Sequence, residues 1–268
     1  MREAAQQLAA GGVDTPRTDS ELLLAHVLGV ERSRLYLLDE LTADQASAYR
    51  AVIGRRASRE PLQHITGLAP FFGYDLAVGP GVFIPRPETE VLAQWGIDAI
   101  AGLTAPIVID LCSGSGALAV AVARTRPDAQ VVAVEVSSDA LEWLRRNASG
   151  TGITVVEGDV RAPGLLAELR GRVDLVLCNP PYVPTSTAVP DEVRADPSLA
   201  VFAGPDGLDL IPAVVDLAHD LLREGGRVGI EHDESHPAEV AEILRERFGN
   251  AAGLPDLTGR PRFTTALR

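Results

Sequence analysis

From Glu88 onward, short apolar runs alternate with helical stretches, and this alternation restricts the fold more than any other feature of the chain. Candidate strands fall at 107–111, 130–135, 153–157, 173–178 and 226–231, with 262–267 as a last one. A run such as Val173-Asp174-Leu175-Val176-Leu177-Cys178 reads as a buried strand. Strands separated by helices return parallel to one another. The expectation is therefore an α/β domain with a mainly parallel sheet covered on both faces, which binds ligands at the carboxyl ends of its strands.

Residues 1–70 have a different texture. Leu22, Leu23, His26 and Val27 follow a possible capping box at Thr18 and Glu21, and Thr42 with Gln45 offers a second helix start. This predicts a small helical bundle. Phe71-Phe72-Gly73-Tyr74-Asp75-Leu76-Ala77-Val78 then leads through Gly79-Pro80-Gly81 to Val82-Phe83-Ile84-Pro85-Arg86-Pro87, read as a β-hairpin linker over 71–87. The α/β part follows over 88–268.

The chain's 268 residues, 46% of them hydrophobic, suffice for one large or two modest domains. No apolar stretch approaches the roughly 20 residues needed to span a bilayer, and the start lacks a signal-peptide core. A cytoplasmic, membrane-free protein is expected, and Cys112 and Cys178, without disulfide-scaffold or CxxC spacing, agree with a reducing compartment. Lysine is absent, and 37 acidic against 24 basic side chains give a net charge of −13. Such a surface repels phosphate backbones, so nucleic acid is a poor candidate substrate.

The first strand of the α/β part runs into Asp110-Leu111-Cys112-Ser113-Gly114-Ser115-Gly116-Ala117-Leu118-Ala119. Its glycines permit a tight turn and close backbone approach to a cofactor. The loop satisfies G-x-G-x-x-A, and Glu135 ends the next strand where a ribose-binding acid belongs, so a nicotinamide site and a methyl-donor site both remain open at this point. Asp110 before the loop and Glu157-Gly158-Asp159 at the third strand end tip the balance. Acids around the loop suit a cationic ligand with an amino-acid tail better than a pyrophosphate. S-adenosylmethionine has that character, with ribose hydroxyls for Glu135 and an adenine amino group for Asp159.

The fourth strand ends in Asn179-Pro180-Pro181-Tyr182. Proline fixes its own φ and pushes the preceding residue into an extended conformation, so this corner is stiff. The Asn179 side-chain oxygen and the Pro180 carbonyl can each accept one hydrogen of a planar –NH2 group, with Tyr182 stacked on its flat face. Other catalytic patterns are weaker. Ser113 and Ser115 do not form a G-x-S-x-G elbow, and His232 and His236, beside Glu231, Asp233 and Glu234, lack an established metal-ligand spacing and read as a solvated turn. His26, His64 and His219 read as structural, and Cys112 and Cys178 as packing residues on neighbouring strands.

Asn179-Pro180-Pro181-Tyr182 after the glycine loop resembles the amino methyltransferases that use S-adenosylmethionine. The stretches Glu60-Pro61-Leu62-Gln63-His64-Ile65-Thr66-Gly67 and Phe83-Ile84-Pro85-Arg86-Pro87-Glu88-Thr89-Glu90 make the chain similar to the peptide chain release factor glutamine methyltransferases. So do Gly204-Pro205-Asp206-Gly207-Leu208 and Asp256-Leu257-Thr258-Gly259-Arg260. The resemblance implies a Rossmann-like class I methyltransferase sheet, mainly parallel with its last strand antiparallel, behind a small N-terminal helical domain that helps grip the substrate. It implies methylation of the glutamine side-chain nitrogen, N5, in the Gly-Gly-Gln loop of class I release factors. Separately from the resemblance, the chain is expected to be a monomer. Carried onto this sequence, the cofactor loop falls on Cys112, Ser113, Gly114, Ser115 and Gly116, the ribose acid on Glu135, and the adenine contacts on Asp159 and Val160. The substrate clamp falls on Asn179, Pro180, Pro181 and Tyr182, with Asn179 also bordering the cofactor. Val160 departs from the aromatic residue some members place there, and Glu231-His232-Asp233 departs from an expected glycine-containing form and receives no role. A ribosomal-protein glutamine methyltransferase would share most motifs. A DNA adenine N6-methyltransferase would need a basic groove that the sequence does not show.

Overall fold

Nine strands form among the residues described by the computed structural model, 1–37 and 40–268. They are β1 (Leu68–Phe71), β2 (Tyr74–Ala77), β3 (Ile107–Leu111), β4 (Gln130–Glu135), β5 (Thr154–Glu157), β6 (Val173–Cys178), β7 (Leu222–Glu231), β8 (Ala252–Pro255) and β9 (Pro261–Leu267). The last seven make one sheet in the order β5-β4-β3-β6-β7-β9-β8. From β5 to β7 all neighbours are parallel, and β9 runs antiparallel to both β7 and β8.

Both faces of the sheet are covered, which is why the central strands read as continuous apolar runs. Successive residues of a strand point to opposite faces. Val108, Leu175 and Leu177 join one core with Leu92, Ile97, Leu118, Val122 and Leu144, while Ile109, Leu111, Val176 and Cys178 join the other with Val214, Ala218, Val240 and Leu244. The helix Thr89–Ala99 lies close against the sheet because glycine makes room for it: a Cβ on Gly229 of β7 would sit 2.6 Å from Cζ3 of Trp95.

Two compact units result: Met1–Leu68 with Val78–Pro80 and Val189–Ala195, and Ala69–Ala77 with Gly81–Ala188 and Asp196–Arg268. The first has its own core around Leu8, Leu23, Tyr49 and Ile53. Its helix Ala43–Ala57 begins at the expected capping box, Gln45 N donating to Thr42 Oγ1 and Thr42 N to Gln45 Oε1. The other expected box at Thr18 and Glu21 is not formed. The helix Pro16–Leu28 starts earlier, at N-cap Thr15, because Pro16 is pre-set for the first helical position. Glu21 is instead buried and holds Arg17 and Arg32.

Three further differences from the sequence reading have local causes. The hairpin turns at Phe72-Gly73, both with positive φ as a two-residue connection requires, and residues 82–87 form no strand. β7 begins at Leu222, four residues early, opposite a register shift between Val173 and Leu175. β8 was not expected, because as a mostly exposed edge strand it carries no apolar pattern. Among the described residues no helix is long and apolar enough to cross a membrane.

Candidate active site

The strand order reverses between β3 and β6, both parallel and hydrogen-bonded, with Leu111 in register with Cys178. Such a switch point opens a crevice beyond the carboxyl ends of the strands. The register places Cys112, which starts the glycine loop, and Asn179, which starts the proline corner, on that same edge.

The loop is fixed by its own backbone and by an acid of the next strand. Cys112, Gly114 and Gly116 have φ of 58°, 54° and 84°. Ser113 N donates to Val134 O of β4 (2.9 Å), and Gly116 N closes back on Ser113 O (2.7 Å). Gly116 is strongly favoured as glycine, since besides its φ of 84° a Cβ there would lie 2.5 Å from Leu144 Cδ1. Glu135 accepts Gly114 N through Oε2 and the amides of Val136 and Ser137 through Oε1, each at 2.8 Å. Asn147, buried in the helix Ser138–Ala148, donates to Ser115 O (2.9 Å) and so holds the loop from below.

Asp110 is 1% exposed at the end of β3. Its Oδ2 accepts Ala119 N (3.1 Å), whereas Oδ1 is buried with no partner among the described residues. Burial, with a smaller push from the charge of Glu135, raises this carboxyl to about 7. These residues fit a cationic adenosyl ligand. An orphaned carboxylate oxygen calls for a positive group, no atom of a described residue beyond its chain neighbours lies within 4 Å of where a Cβ on Gly114 would sit, and Glu135 uses three of about four acceptor positions, leaving one for a ribose hydroxyl.

The two expected adenine contacts stand differently. Asp159 is engaged by Arg161, which donates from N (2.9 Å), Nε (3.0 Å) and Nη2 (2.7 Å) and lowers the carboxyl below its ordinary range. An adenine amino group would have to share that carboxylate. Val160 is buried within the core beside β4 and β6.

Asn179 is half-buried and Pro180 buried, with Pro181 and Tyr182 partly covered. Nδ2 of Asn179 donates to Thr89 Oγ1 (3.2 Å), Thr89 Oγ1 donates to Glu231 Oε2 (2.8 Å), and the Tyr182 hydroxyl donates to Glu231 Oε1 (3.1 Å). Asn179 Oδ1 takes no hydrogen bond from any described residue. Burial, and then the charge of Glu231, pushes the Tyr182 phenol well above its ordinary value, so it stays a donor. Glu231 itself is 1% exposed, and burial raises its carboxyl to about 7 against the opposing hydrogen bonds of Thr89 and Tyr182 and the charge of Arg262.

This corrects the reading of 231–236 as a solvated turn. Glu231 and His232 are both buried, His232 with Nε2 on Thr264 Oγ1 (2.8 Å) and Nδ1 on Asp233 O (2.9 Å), and burial depresses its basicity. Only the later residues, Asp233 to His236, emerge. No group of residues able to hold a metal occurs among the described residues. The sequence reading gives Thr89 and Glu231 no role, although the structure joins both to the proline corner, and an acid closing the strand beside the switch point was a usable signal. Cys112 and Cys178 are both free thiols, and burial and then Cys112 raise that of Cys178.

Two family models match the chain: the PrmC N-terminal domain over residues 1–67 and the methyltransferase small domain over residues 89–194. The release factor glutamine methyltransferase of Mycolicibacterium smegmatis is 48% identical over 100% of this chain and 96% of its own. That of Streptomyces coelicolor is 47% identical over 100% and 96%, and that of Mycobacterium tuberculosis H37Rv 43% identical over 99% and 89%. Among solved structures, the T. thermophilus 16S rRNA N2 G1207 methyltransferase in complex with AdoMet and guanosine is similar in fold, with a TM-score of 0.55 and 22% identity over 75% of this chain and 49% of that one. Near-half identity over the whole length decides the family: the chain belongs to the release factor glutamine methyltransferases and is an S-adenosylmethionine-dependent enzyme.

Proposed function

We propose that this enzyme methylates the side-chain amide nitrogen, N5, of the glutamine in the Gly-Gly-Gln motif of class I peptide chain release factors, with Asn179-Pro180-Pro181-Tyr182 holding the carboxamide. The observation that carries the reading is the orientation of Asn179. Its nitrogen is spent on Thr89, which leaves Oδ1 as an acceptor at the switch-point edge where the glycine loop also ends. A carboxamide nitrogen has two N–H bonds to give, and an acceptor is what it needs.

S-adenosylmethionine, when bound, supplies an electrophilic methyl group. Asp110, the 112–116 loop and Glu135 would hold it, with Asp159 and Val160 near its base. An amide nitrogen is a poor nucleophile because its lone pair is conjugated with the carbonyl. Asn179 Oδ1 and the Pro180 carbonyl address this by taking both N–H bonds, excluding water and fixing the direction of the lone pair, so that orientation and desolvation carry most of the rate. No general base is required at this clamp, since the proton can leave after transfer. The net charge of −13 supports a protein substrate over nucleic acid, and the reading takes the enzyme to work in the cytoplasm as a monomer.

The test is incubation with labelled cofactor and a release factor carrying either Gly-Gly-Gln or Gly-Gly-Ala. Label on the first and none on the second is expected. Equal labelling of both, or of neither, overturns the proposal.

A further inference from the structure

We infer that Thr89 and Glu231 are positioning residues that set the hydrogen-bond polarity of the clamp, Glu231 acting through Thr89 to decide which edge of the Asn179 amide faces the substrate. The inference rests on Asn179 receiving the carboxamide, as proposed above. Above pH 7, where the Glu231 carboxyl is mainly ionised, it can only accept, and both its oxygens are engaged, Oε2 by Thr89 Oγ1 at 2.8 Å and Oε1 by the Tyr182 hydroxyl at 3.1 Å. The single hydroxyl proton of Thr89 is thereby committed to Glu231. What Thr89 presents to Asn179 is lone pairs alone, and only the Nδ2 end of the amide can meet them, at 3.2 Å.

Reversing that amide would set Asn179 Oδ1 against Thr89 Oγ1, acceptor against acceptor, and turn Nδ2 outward. A clamp with Nδ2 outward takes a substrate carbonyl rather than a substrate –NH2, so the carboxamide would sit with its oxygen where its nitrogen should be. The relay thus separates productive from reversed seating without touching the substrate. Its parts are held by regular elements. Thr89 is the first residue of the helix Thr89–Ala99, Glu231 the last of β7, and Gly96 and Gly229 let helix and sheet approach: a Cβ on either would lie 3.0 Å or less from Leu177 or Trp95.

Because most of a protein substrate's footprint lies elsewhere, reversed seating wastes encounters without weakening them, and the loss should fall on kcat. In Glu231→Gln the new amide can donate, so Thr89 is free to turn its proton toward Asn179. In Thr89→Val the hydroxyl is gone at nearly constant shape, and Thr89→Ser restores it. At pH 8.5, where Glu231 is ionised in the parent, we expect Glu231→Gln and Thr89→Val to lose at least tenfold in kcat for release-factor methylation. KM for the factor and the calorimetric Kd for S-adenosylmethionine should stay within about threefold. Thr89→Ser should stay within about threefold of the parent throughout. In an Asn179→Ala background the Glu231→Gln loss should disappear, because the relay then has nothing to orient. Parental kcat in Glu231→Gln overturns the inference, as does a Thr89→Ser loss equal to that of Thr89→Val, or an undiminished Glu231→Gln loss in the Asn179→Ala background. A parent enzyme that does not label the factor at all instead overturns the proposed function. The Thr89→Ser and Thr89→Val pair keeps the test decisive should Glu231→Gln not fold.

Discussion

Asp110 should make cofactor binding depend on pH in a direction that can be worked out beforehand. Its carboxyl titrates at about 7 in the free protein because it is buried, with Glu135 adding repulsion, while Ala119 N and Ser113 partly offset both. A cationic ligand beside the partnerless Oδ1 binds the ionised form and lowers that pKa, so binding below pH 7 must expel a proton. Linkage then weakens the apparent affinity about twofold at pH 7, roughly tenfold at pH 6 and roughly a hundredfold at pH 5, flattening only where the pKa of the complex is reached. Titration calorimetry of S-adenosylmethionine from pH 5 to 7.5 at constant ionic strength, in two buffers of different ionisation enthalpy, reads both affinity and proton release. Close to one proton should leave at pH 6. Asp110→Asn, which mimics the protonated form, should bind roughly a hundredfold more weakly at pH 7.5, about 2.7 kcal/mol, with the pH dependence gone. A Kd that is flat between pH 5 and 7, or proton uptake on binding, refutes the assignment of Asp110 to the cation.

The remaining expectations are shorter. Asn179→Ala removes one acceptor and leaves a substrate N–H unpaired in a dry site, about 1–3 kcal/mol, so methyl transfer should fall at least tenfold with cofactor affinity little changed; equal activity would contradict the clamp. Stability should rise on mild acidification. Glu231 and Asp110 are raised to about 7 and Asp196 to about 6, so each contributes stability that is full below its unfolded pKa near 4 and lost as pH rises through the folded value. From pH 7 to 5 the gain is roughly 2 kcal/mol each for Glu231 and Asp110, opposed over the same window by His232 and His219, whose lowered basicity makes their protonation favour the unfolded chain; the urea midpoint should rise less toward pH 5 in Asp110→Asn than in the parent, and an unchanged rise would count against this burial. Gly229→Ala puts a methyl group 2.6 Å from Trp95 and should cost about 1–3 kcal/mol in a urea melt, lowering kcat as well, because the displaced helix carries Thr89.

How much of this was legible depended on whether a residue's partners lie near it in sequence. β3, β4 and β6 fall where their apolar runs predict, since strands buried on both faces must be apolar throughout. The glycine loop was equally plain: its turn is local, and Gly116 answers both to its own φ and to Leu144. β8 was invisible because its burial is that of an edge. Glu231 failed for the opposite reason. Charged residues are mostly exposed, so an acid followed by His232, Asp233 and Glu234 reads as surface. Its burial is sustained by Thr89, 142 positions away, and Tyr182, 49 positions away, which no window of sequence brings together. A carboxyl held at about 7 by burial is a poor stabiliser of a fold near neutrality, since an apolar residue in its place would cost no desolvation. On the inference drawn above, its place at the end of β7 is accounted for by the hydrogen bonds it takes from Thr89 and Tyr182, and through Thr89 by the polarity of the Asn179 amide proposed to receive the substrate.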